Sequence, residues 1–331
     1  MSQSKPVMLS GVKPSGDFTI GNYIGAVRNW ALMQEEFDCL FFIPDLHSIT
    51  ARQDPKQLKE RTFNLAAFYI ACGLDITKNK IFVQSQVSAH AELAWVLSCF
   101  TYMGEMNRMT QFKDKSLKNP ENINVGLFTY PILMAADILL YRSNVVPVGD
   151  DQKQHIEIAR DIAERFNKVY GETFIIPEPH IEEQGARIKG LQNPQSKMSK
   201  SETNPKDSLL MFDIPDVLRK KVKSAVTDSE GTIKYDKSRA GVANLMTIYN
   251  ILSGKSFDEI EQLYEGKGYG DFKSDLAEFV VETIEPIQQK YMKLQEDRSF
   301  VMHVLEEGRK EAELRAGVML ADVYQKVGFL R

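Results

Sequence analysis

Cysteine is scarce in this chain: Cys39, Cys72 and Cys99 are the three present in 331 residues. No two of them form a CxxC pair, so neither a zinc knuckle nor a dithiol redox pair is expected. The odd count and the apolar neighbours point to reduced, mostly buried thiols and a cytoplasmic location. No run of about 18 apolar residues occurs, so no membrane span or membrane partner is expected. Met1 to Lys5 is polar and leads straight into an apolar run, which does not fit a signal peptide. An excess of one charge is missing too: 41 Lys+Arg against 45 Asp+Glu leave a net charge of −4. Any polyanion partner must then be met by a local basic patch, not by the overall field. Internal repeats and low-complexity tracts are also absent.

What is present is a rhythm. Val7–Ser10 and the wholly apolar Cys39–Ile43 read as strands, the second covered on both faces. Asp54-Pro55 opens a helix that stops at Cys72-Gly73, with Asp as N-cap and Pro in the first position. Ile81–Gln84 and Val145–Val148 are further strands. Ala89–Cys99, Pro131–Tyr141 and residues 151–170 are helices, the middle one almost without polar residues and so buried. Lys113–Val125 reads as a polar loop. This alternation predicts an α/β fold with a doubly wound, mostly parallel, Rossmann-like sheet, its ligands at the carboxyl ends of the strands. From about Asp207 the strand signals fade. Ser256 with Glu259 forms a capping box, and apolar residues at spacings of three and four mark long helices from 276 to 294 and 301 to 327. Two domains are therefore expected, a catalytic one over 1–204 and an all-helical one over 205–331.

Two short runs carry the chemistry. Gly11–Asn22 follows the first strand and keeps side chains small through Pro14, Gly16 and Gly21. A helix starting near Gly21 would aim its free N–H groups and positive dipole end at an anion, with Thr19 and Asn22 as uncharged donors. A plain strand-to-helix turn has the same composition. Lys197-Met198-Ser199-Lys200-Ser201 offers two lysines and two hydroxyls, a small clamp for a triphosphate. A solvated lysine-serine loop is the bland alternative. Taken together, the two runs point to activation by ATP at its α-phosphate.

These residues carry a resemblance. Thr19-Ile20-Gly21-Asn22 looks like a variant His-Ile-Gly-His signature, and Lys197–Ser201 matches the Lys-Met-Ser-Lys-Ser signature of class I aminoacyl-tRNA synthetases. Pro14-Ser15-Gly16, Met109–Lys113, Met134–Tyr141, Val146–His155 and Ala225–Ser229 extend the likeness over nearly the whole chain, and it resembles the bacterial tryptophanyl branch. The resemblance implies ATP contacts from Lys13, Pro14, Ser15, Thr19, Gly21, Asn22, Gly149, Asp150 and Asp151. Ile188 would pack on adenine, and Lys197, Met198, Ser199, Lys200 and Ser201 would close over the nucleotide. Asp150 and Asp151 also suit a helix N-cap. Lys113 and Lys115 are either solvated or reach the phosphates. The residue before Pro14 is often Gln in that family; Lys13 brings a charge there instead.

Asp137 stands as the lone charge of its apolar helix. It is either a structural carboxylate paired with a base such as Arg142 or, as the resemblance implies, the acceptor of the indole N–H of tryptophan. A charge-assisted bond of that kind contributes about 1.5–3 kcal/mol. Met134, one turn earlier, would line the ring. The resemblance adds Tyr130 and Gln152 at the α-amino group, with Gln111 and His47 beside the substrate; a lone His is as often structural. Trp30 and Trp95 read as packing residues. Implied further are L-tryptophan and tRNA(Trp) as substrates and Mg2+ carried on ATP phosphates with no protein-held metal. A homodimer is also implied, and no DNA partner. Arg219–Lys223 and Lys234–Arg239 are candidate tRNA contacts. The rival readings are a tyrosyl-tRNA synthetase, a simpler nucleotidyltransferase and a silent RNA-binding relative.

Overall fold

The computed structural model describes residues 5–118, 120–149, 152–180, 188–199 and 204–330. Among these residues five strands form one sheet: β1 (Val7–Gly11), β2 (Asp38–Ile43), β3 (Lys80–Val83), β4 (Val145–Pro147) and β5 (Glu178–His180). Their order is β3-β2-β1-β4-β5 and every pairing is parallel. The order reverses between β1 and β4, so the Lys13-Pro14-Ser15 stretch after β1 and Gly149 after β4 lie at the switch point where such sheets bind ligands. β1 has no room for a side chain at Gly11, where a Cβ would overlap the carbonyl oxygen of Phe42 on β2.

The described residues form two compact units. The first comprises those of Met1–Ser15, Leu32–Glu182 and Asp297–Arg331. It holds the sheet and helices α1 (Pro55–Ala71), α2 (Ala89–Ser98), α3 (Thr110–Lys118), α4 (Val125–Leu140) and α5 (Lys153–Tyr170). α1 matches its sequence signals: Asp54 accepts the N–H of Gln57, and Gly73 takes a φ of +98° just past the end. The core joins Leu40 and Phe82 of the strands to Ala135 and Ile138 of α4 and Ile162 of α5. The second unit comprises the described residues of Gly16–Ala31 and Glu183–Glu296. Its helices are α6 (Pro215–Lys223), α7 (Ala240–Ser253), α8 (Phe257–Leu263) and α9 (Tyr269–Glu296). The Ser256–Glu259 capping box opens α8 as read from the sequence.

Several expectations need correction. The sequence places the last helix, Arg298–Val327, in the helical half, but it lies against β3 in the first unit. Its Ala312, Ala316 and Met319 enter the sheet's core. The stretch 113–125 is not a loop: α3 runs to Lys118, and a 3-10 turn covers Pro120–Asn122. α4 starts at Val125, capped by Asn124, so Pro131 is inside the helix and not its start. β5, short and polar, carried no strand signal. Trp30 is buried as expected, whereas Trp95 is 71% exposed. The three cysteines are free, and Cys99 is exposed where a buried thiol was expected.

Candidate active site

Asp137 lies one turn from the end of α4 and is fully buried. Its partners come from three other elements. Gln84, directly after β3, donates from Nε2 to Oδ1 at 2.7 Å. His90 of α2 places Nδ1 2.6 Å from Oδ1, and His47 of the short helix Asp45–Ser48 places Nε2 2.8 Å from Oδ2. Arg142, the base suspected from the sequence, is exposed and is not among these partners. Burial by itself would raise the carboxyl pKa, but the hydrogen bonds from His47 and His90 outweigh it and hold Asp137 at about 2. The group is therefore an ionised, acceptor-only carboxylate on an otherwise apolar helix.

Tyr130 sits two turns before Asp137 on the same helix face. Its hydroxyl meets Nε2 of His155 at 2.7 Å and receives Nζ of Lys115 at 3.4 Å. Lys115 also lies 4.4 Å over the Tyr130 ring, and His47 meets that ring edge-on. Lys13 donates to the backbone oxygen of His47 at 3.1 Å. Burial, with Lys115 nearby, lowers the Lys13 ammonium to about 8. Lys13, Pro14, Ser15, Arg61 and Lys115 line a cavity of about 390 Å³. Three cations around one hollow favour an anion. Gln111 is half-buried on α3, one turn from Lys115, and Met134 packs on the core one turn from Asp137. Gln152 closes a turn onto Gly149 with its N–H.

The second unit gathers the other runs. Thr19 and Asn22 cap one another: the Thr19 hydroxyl donates to Asn22 Oδ1 at 3.0 Å, and Asn22 Oδ1 also accepts the Thr19 N–H at 2.9 Å. The donor expected of Thr19 is thus committed to the cap. The helix it opens is short, Ile20–Asn22, and passes into a π-helical turn at Tyr23–Val27. Ile188 and Met198 stand beside Gly21, where a Cβ would lie 3.6 and 3.9 Å from theirs. A bridge pairs Lys189 with Lys197, and the Met198 N–H bonds to the Ile188 oxygen at 2.9 Å. Lys197 is exposed, Met198 buried and Ser199 half-buried. The base of this hairpin is held by Asp207, whose Oδ1 accepts the N–H groups of Gln192 and Asn193. Asp150, Asp151, Lys200 and Ser201 lie outside the described residues.

The sheet has its switch point at the ends of β1 and β4, and in the second unit Met198 is seated beside Gly21. The model of the class I tRNA synthetases (W and Y) matches residues 1–285. This chain belongs to that family. Tryptophan–tRNA ligase of Wolinella succinogenes is 52% identical to this synthetase, covering 98% of it and 99% of its own length. That of Clostridium tetani is 49% identical over 100% and 98%. Among solved structures, tryptophanyl-tRNA synthetase from Mycoplasma pneumoniae superposes with a TM-score of 0.91 at 35% identity over 98% of both chains. The Campylobacter jejuni enzyme complexed with ADP and tryptophan gives 0.83 at 37%, covering 98% of this chain and 100% of its own.

Sequence reading missed Gln84, His90, Tyr141 and His155 of the synthetase's polar interior. His90 carried a signal that was there to use: like Asp137, it is an ionisable residue on a helix that is otherwise mostly apolar. Gln84 carried none, because a polar residue at the end of a strand is ordinary.

Proposed function

We propose that this synthetase is a tryptophan–tRNA ligase. It activates L-tryptophan with ATP to tryptophanyl adenylate and pyrophosphate, then passes the amino acid to the 3′ end of tRNA(Trp). The observation that carries the choice of amino acid is the buried, ionised Asp137. An indole N–H matches such an acceptor, whereas phenylalanine would leave it short of a donor, which supports discrimination of about 10⁴ or more. The curated relatives, about half identical along their whole length, support the same reading.

In this reading Asp137 takes the indole, Met134 lies on the ring, and Gln111 and His47 flank it. Tyr130 and Gln152 hold the α-amino group. Lys13, Pro14, Ser15, Gly149, Asp150 and Asp151 serve ATP, as do Thr19, Gly21 and Asn22. Ile188 packs on adenine. The tryptophan carboxylate attacks the α-phosphorus in line and pyrophosphate leaves, so no protein base is required. Lys197, Lys200 and Lys115 neutralise charge growing on the leaving group, with Met198, Ser199 and Ser201 in the same loop. Mg2+ arrives on the phosphates of the ATP substrate.

Residues 1–204 are assigned this chemistry, and the helices from Pro215 to Glu296 the tRNA anticodon. Arg219, Lys221 and Arg239 are already tied to Glu278, Asp213 and Asp228, so the exposed Lys220, Lys223, Lys234 and Lys237 are the cations offered to phosphates. A cytoplasmic homodimer completes the proposal. No described helix is long and apolar enough to cross a membrane. The test is ATP–pyrophosphate exchange with each of the twenty amino acids in turn. Exchange with tryptophan alone is expected; exchange driven by tyrosine instead would overturn the assignment.

A further inference from the structure

Asp137 has no exposed surface, so an incoming donor must find a place among partners already seated. A carboxylate has about four lone-pair sites. Oδ1 is filled by Gln84 and His90, while among the described residues Oδ2 holds His47 alone. The Oδ1 side is fixed from behind. The Gln84 amide cannot flip, because its Oε1 accepts the Leu46 N–H at 3.1 Å, which leaves Nε2 to face Asp137. His90 has its other nitrogen, Nε2, 2.8 Å from the Tyr141 hydroxyl. An ionised carboxylate only accepts, so His90 shows it Nδ1–H, and Nε2 is held at the Tyr141 hydroxyl. The His90 ring is stacked on Phe42 and tilted against Phe82. Gln84 and His90 are both completely buried, whereas the His47 side chain keeps 7% of its surface open.

We propose that His90, oriented by Tyr141, is a positioning residue for amino-acid choice: it pins Oδ1 of Asp137 so that Oδ2, beside His47, is the oxygen presented to the indole N–H. The proposal rests on the reading of Asp137 as the indole acceptor. The two histidines bonded to this carboxylate then have different parts. His47 sits at the exchangeable oxygen and shifts as the substrate enters; His90 does not move. Without the Nδ1–H donor the carboxylate turns to recover a partner, and the Oδ2 lone pair no longer points at the ring.

Two substitutions at one position test this. The amide nitrogen of Asn falls near Nδ1 of His, whereas that of Gln reaches towards Nε2. His90→Asn therefore keeps the bond to Asp137, and His90→Gln gives it up while still meeting Tyr141. Tryptophan-dependent pyrophosphate exchange gives KM and kcat, and parallel runs with phenylalanine give the discrimination ratio. His90→Gln is expected to raise KM for tryptophan about tenfold, to lower the tryptophan-to-phenylalanine ratio alike, and to leave kcat within about threefold. His90→Asn should restore both to within about threefold of the parent. Tyr141→Phe removes one oxygen and carries the test if His90→Gln does not fold, with a rise in KM of about threefold. The proposal is overturned if His90→Gln and Tyr141→Phe leave KM and the ratio unchanged, or if His90→Asn falls as far as His90→Gln. Asp137→Asn is run alongside. If it alone abolishes discrimination, the acceptor reading survives and the role of His90 is lost; if it keeps discrimination, the acceptor reading itself is wrong.

Discussion

A single lysine ties this site to pH. Burial together with Lys115 brings the Lys13 ammonium from the ordinary 10.5 down to about 8. A lysine lowered in the folded state binds fewer protons than in the unfolded chain between those values, so the stability that Lys13 costs below about 8 is relieved as pH rises from about 8 to 10.5. Its charge, by contrast, is present below about 8 and lost above. If the ammonium serves the ATP phosphates, KM for ATP rises about tenfold between pH 7 and 9 in the parent, and stays level in Lys13→Gln. An identical pH profile in the two proteins would remove Lys13 from the nucleotide. The clamp gives a second prediction at this scale. Lys200→Ala should slow pyrophosphate exchange by about a hundredfold or more while calorimetric tryptophan binding stays close to that of the parent.

The element that most depends on one residue is the last helix. It meets β3 so closely that a Cβ at Gly308 would overlap the carbonyl oxygen of Ile81. Backbone cannot give way there without moving a strand of the sheet. Gly308→Ala is expected to cost about 2–4 kcal/mol, read from the midpoint of denaturant unfolding. Gly317 of the same helix has nothing within 4 Å of a Cβ, so Gly317→Ala should be neutral or add a few tenths to about 1 kcal/mol. Equal effects from the two changes would show that contact with β3 is not what Gly308 provides. The helix also carries Arg315, which reaches Asp38 at the start of β2 at 2.7 Å, and Tyr324, which donates to Glu92 of α2. Periodicity announced this helix, but none of these partners lie near it in the chain.

At the scale of the molecule, the exposed apolar side chains ask for cover. Trp95, Tyr102 and Met103, close in sequence at the end of α2 and just beyond, are 71%, 61% and 66% exposed. Aromatic and Met side chains of this size are typical of the centre of a protein interface. If this face joins the two copies of the proposed homodimer, Trp95→Glu yields monomers in sedimentation velocity at concentrations where the parent is dimeric. A parent that is itself monomeric, or a variant that still pairs, would place the contact elsewhere.

Local signals settled the parts of this protein that local physics governs. The Asp54 cap and Gly73 stop set α1, the Ser256–Glu259 box opened α8, and the apolar run Cys39–Ile43 placed a buried strand, because each depends on residues a few positions apart. The two signature runs are each only a few residues long, so the sequence alone points from them to ATP. The partners of Asp137 were not legible, since Gln84 and His90 meet it only once strand ends and helices from separate parts of the chain are packed together. Nor did helical periodicity tell that the last helix would leave the helical half and lie on β3. An amphipathic pattern records that one face must be covered, while the surface that covers it is chosen by fit between elements distant in sequence, down to a glycine that lets two backbones touch.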